Sequence, residues 1–256
     1  MKPLLSRVAM IVFFCNCFCI YSPLSAQDFS RNFLPENDLD KYDWANYDSA
    51  VTEEVFNRVI DVALEVFQPV ADKYGETISI ARNWTSSTVN ANVKRMGSTV
   101  YINMYGGLAR RPEINEEGFA LVLCHELGHA YGGTPFLNAT TKIAAEGQAD
   151  YYGAGVCLKK IISVIVEELK NFSPTSFMKS TCSGSSVCLY QLHAGLALGE
   201  LLSVIKNQNT PSYETPDNTE VQSTVLSYPN TVQCRLDTYY AGVVGKNRPA
   251  CWYAGR

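Results

Sequence analysis

The segment LVLCHELGHAYGG, residues 121–133, constrains this chain more than any other. His125 and His129 are four residues apart, so on a helix their imidazoles stand on one face about 6 Å apart, close enough to share a tetrahedral ion. The same geometry turns Glu126 to the side of the pair, badly aimed for a ligand but within reach of a water beside the ion. Helix signals bracket the motif: Asn115 can cap it, Glu116 and Glu117 fill the first turn, and Gly132 and Gly133 end it. The chain has only three histidines, which makes two of them in an HExxH pattern an improbable accident.

A metal that activates water keeps three protein ligands and one open position, so the third ligand decides the class. The metzincin pattern requires a histidine six residues after His129. Gly132 fits that pattern, but Pro135 stands where the histidine should be. AAEGQADYYG supplies the alternative, because Glu146 follows His129 by 17 residues, long enough for a turn and an antiparallel return on the next helix. Asp150 lies one turn further on the same face. With Glu146 beside His129, its carboxylate arrives opposite His125, where it can accept the imidazole's other N–H and fix the tautomer.

The 256 residues suffice for one well-packed domain, and 46% apolar against 18% charged residues marks an ordered globular chain. A net charge of −4 offers no basic footprint, so nucleic acid is not an expected partner. Lys2 and Arg7 precede an apolar run from Val8 to Ile20, and SPLSA supplies small residues, so residues 1–26 are expected to be a signal peptide cleaved after Ala26. An uncleaved anchor is the alternative; the run is short for a membrane span, and no stable membrane insertion is expected after cleavage. The mature protein would then be exported, periplasmic or secreted.

Cleavage removes Cys15, Cys17 and Cys19 and leaves six cysteines, an even number suited to an oxidising compartment. Cys234 and Cys251 bracket a piece too poor in apolar residues to fold alone and are the expected bridge. Cys157 is expected to pair with Cys182 or Cys188, and Cys124, turned about 100° from His125, to be a buried free thiol.

Residues 27–50 are acidic and aperiodic, a loose N-terminal segment before a domain at 51–256. Val55, Val59, Val62, Leu64, Val66 and Phe67 mark a first helix between Thr52 and Tyr74, with Gly75 as its stop. TISIARNW (77–84) and STVYINMY (98–105) alternate as strands do, and Met96 and Gly97 offer a turn after NANVKR. The expected fold class is α+β: a small antiparallel sheet packed on the motif helix and on further helices at about 141–170 and 187–206. Residues 207–233 are expected to form a long loop.

HELGH (125–129) with EGQAD (146–150) resembles the gluzincin metallopeptidases, and within them the CAAX prenyl endopeptidase and HtpX heat-shock protease family. VNA (89–91) and GGLA (106–109) extend the likeness over about the central quarter of the chain. The resemblance implies a zincin-like domain with one zinc held by His125, His129 and Glu146, Glu126 as general base and Asp150 behind the ligands. It also implies an edge strand near Val89 to Arg95 that pairs with a peptide or protein substrate. Members of that family are often multi-pass membrane proteins, whereas this chain has no internal span, so processing of prenylated proteins does not carry over. Where the family tends to have His-Pro ahead of an arginine, this chain has Tyr228 and Pro229 ahead of Arg235.

The expected function is zinc-dependent hydrolysis of peptide bonds, as an endopeptidase, since nothing suggests a pocket for a chain terminus. The alternative is a catalytically inactive, zinc-stabilised binding or chaperone-like domain, which would have no use for Glu126. Candidates for stabilising the oxyanion are His193, Tyr228 and Arg235; Arg235 is favoured, with Tyr228 as a helper, the alternatives being a structural salt bridge for Arg235 and a packed core or surface residue for His193.

Overall fold

The computed structural model describes residues 31–41 and 49–255; the expected leader at 1–26 lies outside them, as do residues 27–30 and 42–48 of the acidic segment. The fold is α+β. Its spine is helix α3 (Glu116–Tyr131), capped by the Asn115 side chain on the Gly118 amide and buried from Glu116 through Ala130. A helix apolar on all sides belongs in an interior. One side of α3 meets a four-stranded sheet; the others meet α1 (Glu53–Asp72), α4 (Glu146–Tyr152), α5 (Leu158–Ile165) and α7 (Ser186–Lys206).

The sheet contains β1 (Arg31–Asn32), β2 (Thr77–Asn83), β3 (Ala91–Met96) and β4 (Thr99–Tyr105), in the order β1-β3-β4-β2. It is mixed, which corrects the antiparallel expectation. The tight turn at Gly97 (φ 58°) makes β3 and β4 an antiparallel hairpin, but the chain from β2 crosses the end of β4 before entering β3, so β2 lies parallel to β4. Alternation of apolar residues says which face of a strand is buried, not which way its neighbour runs.

The N-terminal segment is not loose throughout. Arg31–Asn32 pairs antiparallel with β3, and Phe33 and Leu34 are wholly buried in the main core. The helix expected from 141 starts only at Glu146, because Ile143–Ala144 (β6) instead pairs with Phe136–Asn138 (β5) in a small hairpin. That helix path is further broken by a π-helical stretch, Gly153–Cys157, before α5. Three helices among the described residues escaped the sequence reading: the short α2 (Gly106–Ala109), α6 (Ser176–Cys182), and α8 (Val232–Val244), capped by Thr231 and ended by Gly245 at φ 69°. Between α7 and α8 the long loop was correctly expected. Among the described residues α7 alone is long and apolar enough to cross a membrane, and it packs against α3, α5 and α8 with 61% of its most apolar stretch buried, as a core helix does.

Three disulfides close the fold, a pattern suited to an oxidising, exported environment. Cys234–Cys251 is as expected. Cys124 is not a free thiol: it pairs with Cys157, and Cys182 pairs with Cys188. The reason is a backbone contact between α3 and the α4 region. A Cβ on Gly128 would fall 2.6 Å from the Ala149 carbonyl oxygen, and one on Gly153 would fall 3.0 Å from that of Cys124. Small residues at the crossing let the two segments touch, which brings Cys157 over Cys124 and out of reach of α6.

Candidate metal centre

The two imidazoles project from α3 with ring centroids 4.6 Å apart and nearly perpendicular planes. Glu146, the first residue of α4, brings Oε2 to 3.4 Å from His125 Nε2 and Oε1 to 3.4 Å from His129 Nε2. All three side chains are fully buried, and one potential ligand atom from each lies within 4.8 Å of the others.

Both rings are held from behind. His129 Nδ1 sits 2.7 Å from the Ala144 carbonyl, which can only accept, so Nδ1 carries the proton and Nε2 presents a lone pair. His125 Nδ1 donates to Asp150 Oδ1 at 2.7 Å. Asp150 is gripped in turn by Arg235, whose Nε and Nη2 donate to its two oxygens at 2.8 and 2.7 Å. Burial opposes ionisation of Asp150, but the Arg235 guanidinium and then His125 hold its carboxyl below the usual range.

The front of the site is starved of partners. His125 Nε2, His129 Nε2, Glu146 Oε2 and both oxygens of Glu126 are buried with no hydrogen-bond partner. Buried polar atoms normally find one, and the atoms from His125, His129 and Glu146, stranded facing one another, are the donor set of a metal ion, with the unpartnered Glu126 carboxylate on the residue after His125. The residues therefore fit a metal. Burial pushes the Glu126 carboxyl up to about 8, against the pull of His125. At Glu146 burial acts the same way, but the two imidazoles prevail and hold its carboxyl well below the usual range.

His125, His129, Glu146, Glu126 and Asp150 thus converge as the spacing predicted; two other expectations change. Arg235 is not in the cleft. It lies behind His125, fully buried, with its fork on Asp150 and Nη1 3.4 Å from the Phe33 carbonyl, so it supports a ligand rather than facing a reacting group. His193 is not in the site either: its Nδ1 meets Glu117, near the start of α3, and its ring stacks on Phe172 at 3.8 Å. Tyr228 does reach the cleft from the long loop. Its hydroxyl donates to the Asn32 carbonyl at 2.5 Å, and burial, reinforced by Glu146, raises its pKa. The residue the sequence reading missed is Arg31, whose Nε contacts Glu146 Oε1 and whose guanidinium lies 4.7 Å from the Tyr228 ring centre. No motif marks it; consecutive buried Phe33 and Leu34 after a polar pair were the only signal.

The second cluster of metal-ligand residue types, Asp217 with Cys234 and Cys251, is no site, because the two sulfurs are bonded to each other. A surface hollow of about 600 Å³ is lined by Tyr151, Glu220 and Arg248 among others and by none of the metal-group residues. No family model, curated protein or solved structure matches this chain. The functional reading therefore rests on the chemistry of the site.

Proposed function

We propose that this protein is an exported zinc-dependent endopeptidase of zincin-like fold, acting on extended stretches of peptide or protein. The observation that carries the reading is the set of stranded atoms: two imidazole nitrogens and a carboxylate facing one another, with Glu126 next to His125 on α3 and unpartnered. Two histidines and a glutamate are a ligand set that suits zinc and leaves a fourth position open. When bound there, zinc would supply an electrophile for a carbonyl oxygen and make water acidic near neutral pH.

The protein's own groups then divide the work. Glu126, whose raised pKa suits both taking and returning a proton near neutrality, accepts one from the attacking water. As the C–N bond breaks it hands that proton to the leaving nitrogen. Asp150 and Arg235 keep His125 in one tautomer and orientation. Tyr228, whose phenol already donates to a backbone carbonyl over the cleft, takes the oxyanion role first assigned to Arg235. The side of β3 away from β4, where an extended peptide would pair, is held in this structure by Arg31–Asn32. The inactive, zinc-stabilised binding or chaperone-like reading gives no reason to bury an unpartnered Glu126, since a purely structural metal needs no base.

The test is cleavage of an unstructured protein with and without chelator, alongside metal analysis of wild type, Glu126→Gln and Glu146→Gln. We expect one zinc per chain in wild type and in Glu126→Gln, none in Glu146→Gln, and hydrolysis in wild type alone. Full zinc in Glu146→Gln would remove the ligand, and undiminished turnover in Glu126→Gln would remove the mechanism.

A further inference from the structure

The edge of β3 that a substrate would use is already paired. Arg31 stands opposite Val93 and Asn32 opposite Asn92, in antiparallel register, and the pairing continues through the Phe33 amide to the Ala91 carbonyl at 2.9 Å. Each of the first three residues of this strap touches a group of the candidate centre. Arg31 contacts Glu146, the Asn32 carbonyl accepts from Tyr228, and the Phe33 ring packs edge-on against His125 at 5.1 Å while its carbonyl takes Nη1 of Arg235. The fourth, Leu34, is tied through amide and carbonyl to the Asn90 side chain at 3.0 and 3.2 Å.

We infer that residues 31–34 are an internal occupant of the substrate groove, and that foreign peptide enters only when Arg31–Asn32 peels from β3 while Phe33–Leu34 stay anchored. The inference rests on the peptidase reading for what the groove is for, and on geometry for its occupancy. Burial along the strap is graded to suit such a hinge: Phe33 and Leu34 are fully buried, the Arg31 side chain is 22% exposed and Asn32 is exposed. A strand serving stability alone has no need to rest an arginine on the carboxylate that both imidazoles face, nor to bury Nη2 of that arginine without a partner. The contact also couples the strap to metal. A guanidinium on Glu146 and a cation held by Glu146 repel each other, so by linkage metal loading weakens the strap and the strap weakens metal binding.

Two variants test this from opposite directions, each made with Glu126 intact and in the Glu126→Gln background. Arg31→Gln removes the cation and frees the groove. Asn32→Cys with Asn92→Cys, directly opposed in the register, locks the strap by a disulfide. Three quantities are read: affinity for a fluorescein-labelled unstructured peptide in the Glu126→Gln background, zinc affinity by competition with a chromogenic chelator, and cleavage with Glu126 intact. Apparent affinity scales with the fraction of molecules whose groove is open, so Arg31→Gln should tighten peptide binding and raise cleavage by about tenfold or more. It should also tighten zinc binding. The oxidised lock should bind no peptide and cleave nothing while melting no lower than wild type. A lock that binds and cleaves like wild type overturns the inference and leaves the peptidase reading standing. Tighter peptide binding in Arg31→Gln, abolished in the lock, with no cleavage by any variant, upholds the occupancy and defeats the peptidase reading. If Arg31→Gln does not fold, the lock decides alone.

Discussion

His125 and His193 each place Nδ1 on a carboxylate reached across helices, Asp150 in one case and Glu117 in the other, yet the surroundings of the two pairs differ. The His125 side chain is fully buried, its carboxylate is clamped by Arg235, and its Nε2 is stranded facing Glu146. The His193 side chain is 30% exposed, its carboxylate has no arginine fork behind it, its ring lies flat on Phe172, and it leaves no stranded nitrogen. A histidine on a carboxylate is therefore a common way to satisfy a ring. What makes one of them a candidate ligand is a second support behind the carboxylate and an unsatisfied nitrogen in front.

The comparison breaks most severely at Arg235. Arg235→Ala would break a buried ion pair and leave Asp150 with His125 alone to offset its charge, a loss of about 3–5 kcal/mol, or roughly 10 °C in Tm for a domain of this size, with metal binding weakened as His125 loses its orientation. Glu117→Gln on the other pair should cost only about 1 kcal/mol and leave metal content unchanged. Thermal melts with metal analysis check both. An Arg235→Ala protein that folds, binds metal and merely turns over slowly would return Arg235 to the cleft as an oxyanion donor.

Next in size is the hydroxyl over the cleft. Tyr228→Phe keeps the ring against Arg31 but removes the donor, so turnover should fall by about 10²–10³-fold at full metal content. His193→Phe, at the opposite end of α3, should leave turnover at the wild-type value. Steady-state cleavage rates on one substrate separate the two, and equal rates for Tyr228→Phe and wild type would move the oxyanion role elsewhere.

The contrast between the two pairs also explains what could be read in advance. His125, Glu126, His129, Glu146 and Asp150 were legible because helical spacing fixes relative positions within a few residues, and one short return links the two helices. For Arg235 the oxyanion role was favoured over a structural salt bridge, and the structure shows a bridge: its charge is visible in the sequence, but its partner Asp150 lies 85 residues away, and only packing sends the fork there. β1 was illegible because Arg31–Asn32 is polar throughout and carries no apolar alternation to detect, and the Cys124–Cys157 bridge because it depends on a Gly128–Ala149 backbone contact. Local periodicity reports faces. It carries no record of which distant edge or carboxylate a side chain will meet.

The smallest expected effect concerns pH in the chelated protein. Burial raises Glu126 to about 8, and at His125 burial pulls the pKa down, but Asp150 and Glu146 outweigh it and lift the ring to about 9. Both folded values exceed the ordinary ones, so both groups hold protons in the folded chain that the unfolded chain has released. Their stabilisation is complete below the unfolded pKa and is lost as pH rises, through 8 for Glu126 and through 9 for His125. Chelated protein should therefore melt at falling temperature between about pH 6.5 and 9, with a slope of roughly 1 kcal/mol per pH unit for each proton. Metal on His125 Nε2 displaces that nitrogen's proton, so the loaded protein should lack the His125 part of the slope. Glu126→Gln should remove the other part from the chelated protein. A chelated protein whose melting temperature is flat from pH 6.5 to 9 would mean that Glu126 and His125 titrate as they do in the unfolded chain.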